Sequence, residues 1–262
     1  MVSQPGTPLA YQLNQIHVSN YISLSTMSTT IKLLAAVGGL IVITFGYVLL
    51  QNYYLNNDDL NADLSTQSNQ DLLALRADDH VYGNRDATVK IIKYSDTRCQ
   101  YCRWLYSNLL DVVDSYPDGD VALVYRYIPI YRTRDTASDS EITAECVAKQ
   151  LGDEGFFSFQ RNLFARLPND RRLDSVPYDT ATLPALEETG VDIETVTTCI
   201  ETFSNYDRIL KDHSSGGALG VITVPHVFLV HVETIWEIGR AKPAEIYRSA
   251  IDDLLEGNKP SN

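Results

Sequence analysis

The chain has 262 residues, 44% of them hydrophobic, enough for one sizeable core with extra segments. Its formal charge of −13 disfavours nucleic acid and anionic lipid as ligands of the folded part. Four cysteines are too few to make a chain of this length a disulfide-framed miniprotein.

The charge is unevenly spread. All 34 acidic residues, and every basic residue except Lys32, lie from Asp58 onward. Residues 1–30 are polar and Ser/Thr-rich, and read as a cytoplasmic tail or as the product of a misassigned start codon, with Met27 as the alternative start. Leu33–Leu50 carries no charge. Eighteen helical residues span about 27 Å, close to a hydrocarbon core. A signal-peptide apolar region is shorter, about 7–15 residues, and usually ends in a cleavage site. This run ends instead in Gln51-Asn52-Tyr53-Tyr54-Leu55, which suits a membrane interface. Segment 31–52 is therefore expected to be an uncleaved transmembrane anchor, with a cleaved signal peptide or a buried helix as alternatives. Lys32 before it, against Asp58 and Asp59 after it, puts the N-terminus in the cytoplasm and the bulk of the chain outside.

Residues 53–79 are Asn/Gln/Ser-rich and acidic, and read as a spacer. Ordered structure is expected from His80. Thr88–Tyr94 is β-branched and aromatic-rich, a strand. Arg103–Tyr116 has helical spacing, with Leu105, Leu109, Val112 and Val113 on one side. After the turn Pro117-Asp118-Gly119-Asp120 comes a second strand, Val121–Ile128. Strand, helix and strand make a βαβ unit, so an α/β fold. Residues of about 138–203 read as a helical insertion, with helices over Glu141–Leu151, Phe156–Leu167, Thr182–Glu188 and Ile193–Phe203. A further helix covers Asn205–Leu219. The strands His226–His231 and Thr234–Ile238 form a hairpin, and a last helix runs from Pro243 to about Glu256.

Cys99-Gln100-Tyr101-Cys102 stands where the first strand gives way to the helix. A cysteine at a helix start faces unpaired N–H groups and the positive end of the dipole, which stabilise its thiolate. The second cysteine, one turn in, is within reach of a mixed disulfide on the first. Arg98 and Arg103 add positive charge. Half of a zinc site is the competing reading, and it lacks a second C-x-x-C, since Cys146 and Cys199 stand alone. His80, His213, His226 and His231 read as surface or strand-face residues, with His226 notable for adjoining Pro225.

Tyr94-Ser95-Asp96-Thr97-Arg98-Cys99-Gln100-Tyr101-Cys102 resembles the active-site segment of the DsbA-like thioredoxin family. The resemblance continues through Val124–Pro129, the helical insertion and Gly220-Val221-Ile222-Thr223-Val224-Pro225, and spans about His80 to Glu256. It implies a thioredoxin fold over residues 80–257 and thiol–disulfide exchange with exported polypeptides. Cys99 would be the nucleophile and Cys102 its resolving partner, with no cofactor. A quinone-linked thiol oxidase in the membrane would be the redox partner. It also implies a cis Val224–Pro225 bond beside Cys99, leaving the Val224 backbone free to dock substrate. Net oxidation is the leading expectation. Reduction, isomerisation, or a non-catalytic peptide- or zinc-binding module are the alternatives.

Asp96, Gln100, Tyr101 and Lys93 are expected to modulate the pair. The Gln-Tyr dipeptide has no histidine beside Cys102, which implies a weaker oxidant. The hairpin tip His231-Val232-Glu233-Thr234 lacks a glycine. Lys93 stands where the resemblance implies a buried carboxylate. A charged Lys93 favours the thiolate, a neutral one can accept a proton, and one that snorkels to solvent does neither. Cys146 and Cys199 are expected to form a structural disulfide within the insertion, worth about 4 kcal/mol by loop entropy, against the alternative of two buried thiols.

Overall fold

The computed structural model describes residues 29, 37–48, 69–129, 139–167, 178–203 and 206–260. The chain divides into two units, Met1–Leu64 and Ser65–Asn262. In the first, residues 37–48 form a helix with Leu40, Val42 and Ile43 exposed. The rest of the expected anchor lies outside the described residues, among which no helix is long and apolar enough to cross a membrane.

The second unit is built on a five-stranded sheet. Its strands are β1 (His80–Gly83), β2 (Val89–Ser95), β3 (Val121–Tyr127), β4 (His226–His231) and β5 (Thr234–Gly239), in the order β1-β3-β2-β4-β5. β2 and β3 run parallel, joined through helix α1 (Gln100–Asp114); the other pairings are antiparallel. The helical insertion comprises α2 (Asp139–Arg166), bent at Gly152, then α3 (Tyr178–Thr189) and α4 (Ile193–Glu201). Gly152 has φ +66° and ψ −155°, outside the helical region, so the span holds two helices that meet at a glycine kink, in line with the two expected from sequence. Helices α5 (Asp207–Ala218) and α6 (Ala244–Leu255) flank the hairpin of β4 and β5.

Strand alternation splits the core in two. Val89, Ile91, Leu123 and Tyr125 pack under α1, α6 and the insertion, whereas Ile92, Tyr94, Val124 and Phe228 face Leu73 and Val221. Cys146 on α2 and Cys199 on α4 form a disulfide.

Order begins before His80. Leu73 is buried, and Asp79 meets Arg126 in an ion pair with both side chains wholly removed from solvent. Arg126 Nε and an Nη donate to the two Asp79 carboxylate oxygens at 3.0 and 2.8 Å. The same guanidinium donates to the carbonyls of Leu72 and Ala74, both at 2.7 Å, so it fastens residues 72–79 to β3. The upper part of the expected spacer thus belongs to the folded unit, because a strand-borne guanidinium needs acceptors and this segment supplies its counter-charge and two carbonyls. His80, read from sequence as surface or strand-face, is buried, with its ring nitrogens 2.9 Å from Asp153 and 3.1 Å from Glu145.

Two stability outcomes are expected. Asp79→Ala leaves the Arg126 guanidinium buried without its counter-charge and lowers stability by about 3–5 kcal/mol in denaturant titration. At the tip between β4 and β5, Val232 has φ +50° and is largely exposed. A branched side chain is strained there and packs against little, so Val232→Gly raises stability by about 1 kcal/mol in the same titration.

Candidate active site

β2 ends at Ser95, and Asp96-Thr97-Arg98 turns the chain into α1. The Asp96 carboxylate accepts from Arg98 N–H at 2.7 Å while its carbonyl accepts from Cys99 N–H at 3.1 Å, an Asx-type turn. The turn delivers Cys99 in extended conformation (φ −79°, ψ 119°) as the N-cap of α1. Its sulfur accepts from Cys102 N–H at 3.4 Å, the place where serine or aspartate oxygens usually satisfy an unpaired donor. Cys99 is partly exposed and Cys102 is fully buried; both are thiols.

The two sulfurs are therefore unlike. The Cys102 thiol donates to the Cys99 sulfur, the largest influence on it. Burial opposes ionisation and Cys102 N–H favours it; among nearby charges Asp96 opposes and Lys93 favours it, and the Cys99 pKa falls to about 7. Burial pushes the Cys102 thiol well up, and the hydrogen bond and charge of Cys99 push it further. Cys99 suits attack at neutral pH, and Cys102 holds its proton until something takes it.

The pairing of β2 with β4 sets the opposite wall. Tyr94 pairs with His226 and Lys93 with Val227, so the residues just before β4 lie beside the turn that leaves β2. The Val224–Pro225 peptide bond is cis, and the Cys99 thiol donates to the Val224 carbonyl at 3.7 Å. A cavity of about 430 Å³ opens here, lined by Tyr101, Thr223, Val224, Pro225, Arg240 and Ala241. Tyr101 is half exposed at its rim.

Each residue singled out from sequence has a place in this arrangement, though not every one touches the sulfurs. Asp96 builds the turn and is wholly buried. Gln100 is the first residue of α1. Lys93 is wholly buried and does not reach solvent. Its amine donates to the Cys102 carbonyl at 3.1 Å and lies 4.8 Å from the Tyr125 ring centre and 5.4 Å from that of Tyr106. His226 pairs at 2.8 Å with Glu237 across the hairpin. Cys146 and Cys199, joined to each other, are not ligands for a metal held by Cys99 and Cys102.

Sequence reasoning missed Arg240 in the cavity, and the two tyrosine rings that enclose Lys93. The rings had a signal. Tyr125 is the β3 partner of Lys93, and Tyr106 lies one helical turn beyond Cys102, on its face. Arg240 had none, because only the hairpin's return brings it to Pro225.

Thiolate absorbance against pH is expected to show one sulfur ionising near 7 in the reduced chain. The thiol predominates below that value and the thiolate above it. Cys99→Ser removes this step, whereas Cys102→Ala keeps it but moves it upward, since the hydrogen bond donated by the Cys102 thiol is lost.

A family described as Thioredoxin matches residues 76–253. Among solved structures, the chain is similar to alpha-DsbA1 of Wolbachia pipientis, with a TM-score of 0.57 and 20% identity, covering 72% of this chain and 96% of that one. DsbA2 of Pseudomonas aeruginosa superposes with a TM-score of 0.52 at 22% identity, over 70% of this chain and 96% of that one. Curated relatives are Na⁺/H⁺ antiporters named NhaA 1. That of Mycolicibacterium gilvum is 25% identical over 58% of this chain and 23% of the antiporter. That of Mycobacterium sp. (strain KMS) is 28% identical over 52% and 19%. The aligned part of this chain thus spans about a fifth of the length of these relatives. Because the family match takes in more than half of the sequence, including the β2–α1 turn and the cis-proline loop, the chain belongs to the thioredoxin family, and its fold is of the DsbA-like kind.

Proposed function

We propose that this chain is an extracytoplasmic thiol–disulfide oxidoreductase that introduces disulfides into exported polypeptides through Cys99 and Cys102. The observation that supports the exchange chemistry, in either direction, is the asymmetry of the two sulfurs: a partly exposed thiol with a pKa of about 7 over a buried one held protonated. A substrate thiolate attacks Cys99 of the disulfide form, and Cys102 leaves with the electron pair. A second substrate thiol then displaces Cys99, so the substrate gains a disulfide and the chain becomes the dithiol. Val224, next to the cis bond, offers its backbone to an extended substrate, while Tyr101 and Pro225 offer apolar surface. A quinone-linked thiol oxidase in the membrane restores the disulfide. Leu33–Leu50 anchors the chain there with its N-terminus in the cytoplasm. The length and apolarity of that run support the anchor, and the partial likeness to antiporters is compatible with it.

Reduction or isomerisation is the second reading, and one observation favours it. A nucleophile near 7 matches thioredoxin, at about 7, more closely than DsbA, at about 3.5. Equilibration of the pair with glutathione separates the two. A potential of about −120 mV marks an oxidant and one of about −270 mV a reductant. Oxidative refolding of a reduced substrate checks activity directly: the wild-type chain accelerates it and Cys99→Ser does not. A chain that forms no mixed disulfide with glutathione or substrate would be a binding module.

A further inference from the structure

Lys93 is a cation without a counter-ion. It lies on the central strand, wholly buried, and among the described residues no carboxylate pairs with it. Among the described residues few groups face it, and the buried carboxylates Asp96 and Glu141 act on its neighbours, Asp96 on Cys99 and both on Tyr125. From α1 come Cys99, Cys102, the Cys102 carbonyl and the ring of Tyr106; from β3 comes the ring of Tyr125; from β4 its register partner is Val227. Burial drives its pKa down to about 8, with the two cysteines alone pulling it back up. A permanent ammonium in such a place would be costly, and a carboxylate partner would have made it permanent.

We propose that Lys93 is the proton acceptor and donor for Cys102 during disulfide exchange, an amine acting as the buried base of the site. The proposal rests on the exchange reading given above. A neutral Lys93 uses one N–H on the Cys102 carbonyl, which holds the nitrogen against the first turn of α1 with its lone pair unused. When Cys102 attacks the mixed disulfide on Cys99, its S–H proton passes to that lone pair. The Cys102 sulfur bonds to Cys99, the bond from Cys99 to substrate sulfur breaks, and the substrate leaves as a thiolate. In the oxidising direction the ammonium returns the proton to Cys102 as the substrate thiolate displaces it. The ring faces of Tyr125 and Tyr106 stabilise the ammonium while it exists, without fixing it as a carboxylate would.

The test is release of glutathione from the Cys99–glutathione mixed disulfide of the full chain, followed against pH. In the wild type, release accelerates as pH rises through about 8. In Lys93→Met, which keeps the length and loses the base, release at neutral pH is slower by about 100-fold and the inflection is gone. In Lys93→Glu a base is restored, release recovers at neutral pH, and the inflection moves below neutrality. A folded Lys93→Met with the wild-type profile overturns the proposal. A wild-type chain that never releases glutathione overturns the exchange reading and the proposal with it. Nitrogen-15 titration of the Lys93 amine in the reduced wild type gives an answer that does not depend on any variant folding. An amine that becomes neutral near 8 supports the role. One that stays an ammonium up to about 10, as an exposed lysine does, overturns it.

Discussion

Everything at the site is positioned by the hydrogen-bond ladder of β2, the central strand. β3 lies on one side of it and β4 on the other, and after Lys90 every residue of β2 is buried. A strand held on both edges cannot slip by one residue without turning its core face outward. That fixes three things together: the end from which the Asp96 turn departs, the face on which Lys93 lies, and the β4 residue opposite each. Cys99 and the Lys93 amine come from one stretch of chain and the Val224 carbonyl from another. They meet because each is a fixed number of residues from the same ladder.

Against this rigid frame the unit buries much charge, and treats it in two ways. Arg126 and Asp79 neutralise one another; Arg126 donates its remaining bonds to two backbone carbonyls and Tyr94, and Asp79 accepts from the Arg76 backbone and guanidinium. Burial alone would raise the Asp79 pKa, yet the Arg126 hydrogen bond and charge bring it below its ordinary value. A fully paired arginine of this kind is structural, since its charge never changes. Lys93 has no carboxylate partner among the described residues, and burial lowers its pKa to about 8. One sheet thus buries a paired cation and a lysine paired with no carboxylate.

The order of elements was legible in the sequence because apolar periodicity and turn residues agree along most of the folded part. Val89–Ser95, α1, β3, the hairpin and α6 all lie within a few residues of their expected bounds. The start of the folded unit was not legible. Residues 69–79 follow a polar stretch and hold only the short apolar run Leu72-Leu73-Ala74-Leu75, and their ordering depends on Arg126, more than 40 residues further on. A clue was available: Arg126 interrupts an otherwise apolar strand, and a central-strand arginine needs a buried acceptor. The cysteine pair was legible because its chemistry is local to one turn. The tyrosine cage and Arg240 belong to tertiary contacts that no short window contains.

The bridge between Cys146 and Cys199 ties together positions 53 residues apart, on a chain that also carries an exchangeable pair. Before that bridge forms, the newly made polypeptide presents four thiols, of which two are to be joined and two stay free. The protein is therefore itself a substrate for disulfide formation. Joining those two thiols releases two electrons, so its maturation needs an electron acceptor. A cell making it must supply an oxidant for that bridge.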